Sequence, residues 1–149
     1  MGLADELRGS KVCIDTAPFI YFIEKHPKYM RVIRPVFAHI DTGQIQAITS
    51  TITLLEVLVH PYRKKDKALA ERYQNILLNS SGLTTLEISH EISKSAASLR
   101  ASYSIRTPDA IQIAAGLAQT ATSFLTNDPD LKKVSEIRVL VLDDYLHGP

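Results

Sequence analysis

The sequence predicts an α/β fold with a mainly parallel central sheet of about five strands. Three observations lead there. Short apolar runs (Lys11–Ile14, Gln46–Thr49, Leu83–Leu86, Ser123–Thr126 and Arg138–Val141) are too brief for helices. Segments with apolar residues at helical spacing lie between most of them, the pattern of strand–helix–strand units. Nearly every junction also carries a capping residue, a proline or a glycine. With 149 residues, 45% hydrophobic and 22% charged, the chain has the size and composition of a single domain spanning 1–149.

Each element can be justified in turn. Val12-Cys13-Ile14 is the apolar centre of the first strand, entered from a polar leader. Thr16 is placed to cap the next helix, with Pro18 in its first turn, where a missing N–H costs nothing. Phe19, Ile20, Phe22 and Ile23 form its apolar face, and Pro27 interrupts it. A second helix is expected from about Tyr29 to Ile40 on the spacing of Val32, Ile33, Val36, Phe37 and Ile40, ending at Gly43. Ser50 or Thr51 caps a helix through Val59, which Pro61 is expected to stop. Lys64–Asn79 reads as a longer helix closed by Ser80-Ser81-Gly82. Ser89 caps a helix over Glu91–Tyr103. Thr107-Pro108-Asp109 then opens the alanine-rich helix Ala110–Thr120, apolar on nearly every side and therefore expected to be the most buried.

Composition excludes several classes. Seventeen basic and sixteen acidic residues leave no strongly basic coat, although a local basic groove remains open. The single cysteine, Cys13, allows neither an internal disulfide nor a zinc cluster and reads as a core residue of a reducing compartment. The Met1–Arg8 segment lacks the apolar stretch of a signal peptide, and no run approaches the roughly 20 apolar residues of a membrane helix. A soluble, cytoplasmic protein is expected, with no membrane partner. The histidines lack metal-like spacing, and no Gly-x-Ser-x-Gly elbow occurs.

In open parallel sheets, ligands gather outside the carboxyl ends of the strands, and acids fall there in this sequence. Asp15 follows the first strand directly, and Asp128 comes two residues after Thr126. Asp109 lies in the first turn of the buried helix, and Glu56 sits among Leu54, Leu55, Val57 and Leu58. An acid at an apolar site is costly unless something positive compensates it. Each also has a local reading: Asp15 as a helix cap, Asp109 as a helix-start acid, Asp128 as a turn residue, and Glu56 as a solvent-facing or lysine-paired residue.

Four segments resemble the acidic motifs of the PIN-domain family, in its order and spacing across nearly the whole chain. They are Ile14-Asp15-Thr16-Ala17-Pro18, Thr53-Leu54-Leu55-Glu56-Val57, Arg106-Thr107-Pro108-Asp109-Ala110-Ile111-Gln112-Ile113-Ala114-Ala115, and Phe124-Leu125-Thr126-Asn127-Asp128. By size and lack of extra domains the chain is similar to the standalone toxins of VapC-type toxin–antitoxin pairs. The resemblance implies a doubly wound α/β/α sandwich, a Mg²⁺ or Mn²⁺ cofactor, cleavage of single-stranded RNA, and a cognate antitoxin protein. A homodimer is also open, since the Tyr21-Phe22-Ile23 and Tyr29-Met30 region could present apolar surface to a partner or simply pack in the core.

On this reading Asp15 and Asp109 are the central metal ligands, and Glu56 and Asp128 complete the shell, partly through water. Oxygen donors without histidine or cysteine suit hard divalent cations better than zinc. Thr16 and Thr126 would orient ligands, and Asn127 would meet a carboxylate or a substrate phosphate. Arg106, three residues from Asp109, is the preferred phosphate contact; Arg63, Lys64, Lys65, Lys67, Lys132 and Lys133 are weaker candidates. Asp130, Asp143 and Asp144 are expected at the surface.

Rival α/β chemistries fit less well. A receiver domain would place adjacent acids near the first strand, a haloacid-dehalogenase-like phosphatase needs Asp-x-Asp where this chain reads Asp15-Thr16-Ala17, and no glycine-rich phosphate loop follows Ile14. The remaining alternative is a non-catalytic PIN module that binds RNA or a partner protein, a role that would not require four acids.

Overall fold

The computed structural model describes residues 2–147. Five strands, β1 (Lys11–Ile14), β2 (Gln46–Ser50), β3 (Leu83–Leu86), β4 (Ser123–Thr126) and β5 (Arg138–Val141), form one sheet. Their order is β3-β2-β1-β4-β5, and every neighbouring pair is parallel. β1 is therefore central, and the chain builds outward from it in both directions. The gap between β1 and β4 is the topological switch point, the place where such sheets open a crevice.

Helices α1 (Leu3–Leu7), α2 (Thr16–Ile23), α3 (Met30–Asp41), α4 (Thr51–Arg63), α5 (Lys67–Asn79), α6 (His90–Tyr103) and α7 (Thr107–Ala118) surround the sheet. The alternation of strand side chains divides the core in two. Val12, Ile14, Ala47 and Leu125 pack with Leu3, Phe19, Ile33 and Tyr73 from α1, α2, α3 and α5. Cys13, Ile48 and Phe124 point the other way and meet Leu99 and Ile113 of α6 and α7. This makes the α/β/α sandwich.

α7 buries seven of its twelve residues, more than any other helix of the described chain. Gly116 lets it approach β1 closely: a Cβ there would stand 2.7 Å from Cys13 Cβ. Burial also pushes the Cys13 thiol far up from its ordinary pKa, and Sγ donates to the Gln112 carbonyl at 3.2 Å. It is a core residue, as expected. None of the helices in the described residues is long and apolar enough to cross a membrane.

Several boundaries differ from the sequence reading, each for a local reason. Pro61 does not stop α4 but lies inside its last turn, with the helix running on to Arg63. A proline costs its own N–H and crowds the preceding turn, yet its φ is helical, so residues after it can continue. α5 starts at Lys67 rather than Lys64 because Asp66 caps it, accepting from Leu69 N at 3.1 Å. The N-terminal leader contains α1, whose Leu3, Ala4 and Leu7 are buried. Two short 3₁₀ turns, Pro129–Lys133 and Leu142–Tyr145, were not anticipated. The caps also shift by one: Asp15, not Thr16, caps α2, and Arg106, not Thr107, precedes α7 without a side-chain cap bond. Finally, Ile23 and Tyr29 are core residues and Phe22 stacks on Phe37, so that region packs inward.

Candidate functional site

At the carboxyl edge of the sheet lies an open cleft of about 420 Å³ lined by Asp15, Thr16, Ala17, Ile20, Tyr21, Glu56, Arg106, Asp109, Thr126, Asn127 and Asp128. The four acids, Thr16, Thr126, Asn127 and Arg106 all line it, although they come from segments up to 113 positions apart, whereas the weaker basic candidates Arg63, Lys64, Lys65, Lys67, Lys132 and Lys133 do not. Asp15 enters from the end of β1 and Asp128 from the end of β4, on either side of the switch point. α4 contributes Glu56 and α7 contributes Asp109.

The local reading of Asp15 and its place in the cleft are compatible. One carboxylate oxygen accepts from Thr16 N at 2.8 Å, capping α2, and the other accepts from Thr126 Oγ1 at 2.8 Å. Burial nevertheless holds its pKa above the usual carboxylate range, and the charges of Asp109 and Glu56 add to that effect while both hydrogen bonds oppose it. The surroundings of Asp15 thus resist its ionisation. Asp128 likewise combines two roles: its side chain accepts from Asp130 N at 3.0 Å, and its N–H donates to Thr126 Oγ1 at 3.2 Å. Thr126, fully buried, ties the two acids together.

Asp109 is buried and paired with Arg106, whose Nε stands 3.1 Å from Oδ2; the arginine side chain is 76% exposed, the aspartate 8%. The hydrogen bond and charge of Asp109 raise the Arg106 pKa, and Asp128 and Glu56 add to it. Arg106 is therefore the cation among these acids. Glu56 is exposed, and Thr16 Oγ1 donates to its Oε1 at 2.6 Å.

Asn127 uses both ends of its amide within the protein. Nδ2 donates to Tyr29 OH at 2.9 Å and to Tyr21 OH at 3.3 Å, and Oδ1 accepts from Asp143 N at 3.1 Å. Tyr21 and Tyr29 stack at 4.2 Å between centroids, so Asn127 braces the aromatic wall of the cleft instead of meeting a carboxylate. Asp143, expected as a plain surface acid, accepts from Tyr29 OH at 2.7 Å. Lys132 and Lys133 pair with Asp144 and Asp130 on the surface.

Sequence reasoning missed the buried polar layer beneath the cleft. Gln112, 1% exposed, reaches Thr53 and Ser50, and Thr49 lies beside them, fully buried. The available signal was Gln112 at a core position of α7, where an unpaired amide would be costly.

The donor set suits a hard divalent cation: carboxylate oxygens on one cleft, mutually repelling at Asp15. In this conformation the acids face the cleft without converging, since no three Asp, Glu, His or Cys side chains of the described residues form a common ligand group. Thr16, Thr126 and Arg106 each draw one carboxylate toward a protein partner.

An all-parallel, doubly wound sheet with an acid-lined cleft at its switch point belongs to the class of open α/β domains whose ligands gather at that edge. The sequence profile of the PIN domain matches residues 12–137, and the chain belongs to the PIN-domain family. No curated protein matches it at a significant level. Solved structures share the fold. One is VapBC2 from Rickettsia felis bound to a promoter DNA fragment (TM-score 0.69, 19% identity, 88% of this chain and 98% of that chain). Another is VapC20 of Mycobacterium tuberculosis, a sarcin-ricin loop cleaving toxin (0.68, 15%, 87% and 99%). A third is FitAcB from Neisseria gonorrhoeae (0.62, 18%, 89% and 97%).

Proposed function

We propose that this chain is a Mg²⁺- or Mn²⁺-dependent endoribonuclease that hydrolyses phosphodiester bonds of single-stranded RNA, acting as the toxin of a toxin–antitoxin pair. The observation that carries this reading is the cleft itself. Asp15, Glu56, Asp109 and Asp128 arrive from four separate segments at one edge of the sheet, where burial, with the charges of Asp109 and Glu56 adding to it, opposes ionisation of Asp15. A divalent cation in the cleft would relieve that cost at Asp15, which Arg106, paired with Asp109, does not touch.

Asp15 and Asp109 would be the central ligands, with Glu56 and Asp128 completing the shell. A bound divalent ion supplies the polarising charge for water and for the phosphate. The chain would supply positioning: Thr126 bonds Asp15, Thr16 bonds Glu56, and the exposed guanidinium of Arg106 would meet a phosphate. The antitoxin reading is supported by relatives of this fold solved as toxin–antitoxin complexes. An exposed apolar stripe on α4, Leu55, Val59 and Tyr62, gives such a protein partner a surface beside Glu56.

Cleavage of single-stranded RNA with Mn²⁺ and with EDTA tests the chemistry. Wild type should cut only with the metal, and Asp15→Asn and Asp109→Asn should remain folded but not cut. RNA binding without cleavage would leave a non-catalytic PIN module. For the toxin role, expression of wild type in a bacterial host should arrest growth and Asp15→Asn should not; equal growth with active enzyme present would refute it.

A further inference from the structure

The buried layer under the cleft has a defined hydrogen-bond direction. Ser50 Oγ accepts from Ile52 N at 3.2 Å and donates to Gln112 Oε1 at 2.6 Å. That fixes the amide of Gln112, so Nε2 faces the threonines, 2.5 Å from Thr53 Oγ1 and 3.5 Å from Thr16 Oγ1. A hydroxyl has one proton to give. The Thr49 hydroxyl lies 2.9 Å from the Ile14 carbonyl and 2.8 Å from Thr53 Oγ1, and Thr53 lies 3.2 Å from Thr16. Glu56, as a carboxylate, can only accept, so the 2.6 Å contact takes the single proton of Thr16. Toward the buried layer Thr16 can then only accept: Gln112 Nε2 can donate to it at 3.5 Å, while the single proton of Thr53 is taken by Thr49 when Thr49 gives its own to the Ile14 carbonyl.

We propose that Gln112 is a positioning residue for Glu56: by offering only donors to Thr53 and Thr16, it reserves the Thr16 proton for the carboxylate. Glu56 itself is exposed on α4, on a flexible side chain. Without this chain of donors from α7 it would sample many rotamers, and its oxygen would have to be ordered each time an ion bound. The network also links α7, which carries Asp109, to α4, which carries Glu56. The inference rests on the proposed metal-dependent reading of the cleft.

The test uses Gln112→Leu and Thr53→Val, each close in volume to the residue it replaces, together with Thr53→Ser and a core variant away from the cleft, Val134→Ala. Free Mn²⁺ counted by electron paramagnetic resonance gives the dissociation constant without any turnover. Gln112→Leu and Thr53→Val should each weaken Mn²⁺ binding roughly tenfold, the scale expected when a group that orients a ligand is lost. Thr53→Ser should restore near wild-type binding, and Val134→Ala should lower the melting temperature while leaving the dissociation constant unchanged. A Gln112→Leu or Thr53→Val protein that binds Mn²⁺ as tightly as wild type would overturn the inference alone. Should Gln112→Leu not fold, Thr53→Val against Thr53→Ser decides the matter. A wild-type chain that binds no Mn²⁺ would overturn the metal-dependent reading and this inference with it.

Discussion

Thr126 Oγ1 donates to Asp15 Oδ2 at 2.8 Å while accepting the Asp128 N–H at 3.2 Å, so one buried hydroxyl spans the gap between β1 and β4 and holds both acids. Thr126→Val keeps the shape and the β-branch that suits a strand but removes both bonds. The loss should destabilise the protein by about 1 to 2 kcal/mol, given a carboxylate acceptor. Metal-dependent cleavage should fall roughly tenfold or more, and Thr126→Ser should recover most of both. Denaturant melts and initial rates on the three proteins check this; a Val variant with wild-type rates would leave Thr126 a strand residue and nothing more.

Metal binding should be visible in stability. A ligand that binds only the folded state stabilises it by RT ln(1 + [L]/Kd), about 2.7 kcal/mol at a hundredfold excess over Kd. Wild type should therefore melt higher in Mn²⁺ than in EDTA, and Asp109→Asn should lose most of that rise. Retention of the full rise by Asp109→Asn would remove Asp109 from the ligand set.

The frame of this fold was readable because short apolar strands and longer helical periods are physically distinct, and all five strands lie where their apolar runs suggested. Asp15 and Asp128 were readable because position after a strand fixes position at one sheet edge, whereas Glu56 and Asp109 lie on helices and stood out by their apolar neighbours and their motifs. What escaped depends on contacts distant in sequence. α1 is five residues long, too short for a periodicity to declare itself, and it is held by burial of Leu3 and Leu7. Asn127 belongs to an acidic motif, but its partners Tyr21 and Tyr29 lie about a hundred residues earlier. Gln112 shows the same limit: its role depends on Ser50 and Thr53, which only the packing of α7 against α4 and β2 brings near.

The burial and charge that raise the Asp15 pKa have a stability consequence. The folded protein holds that proton more tightly than the unfolded chain, so without metal its contribution is largest at low pH. It is lost as pH climbs from the ordinary carboxylate range through the raised value. Glu6 and Glu136 are lowered, chiefly by the hydroxyls of Tyr145 and Tyr103, and act in the opposite sense. Those two are common to wild type and Asp15→Asn, so they cancel in the difference. Melts of both proteins in EDTA should show the wild-type advantage shrinking as pH rises, then levelling. An advantage that grows with pH would mean the cleft favours the Asp15 carboxylate, contrary to the repulsion described.

Arg106 offers the sharpest separation of roles, because its two partners make opposite demands. Its Nε bonds the Asp109 oxygen that a divalent ion would also seek, and its guanidinium is otherwise largely exposed beside the cleft. In the absence of RNA, arginine and metal ion compete for one carboxylate, so Arg106→Ala should bind Mn²⁺ more tightly than wild type. In the presence of RNA the same side chain is free to turn to a phosphate once the ion has taken Asp109. Arg106→Ala should therefore bind RNA more weakly, and the slope of log affinity against log salt should fall by roughly 0.7, one phosphate contact on a single strand. An arginine that merely decorates the start of α7 predicts neither change. An arginine that orients Asp109 for the ion predicts weaker Mn²⁺ binding in the variant. Measuring Mn²⁺ affinity without RNA and the salt slope with it, on wild type and Arg106→Ala, tells the three apart; tighter metal binding together with an unchanged salt slope would keep the competition with the ion and exclude the phosphate contact.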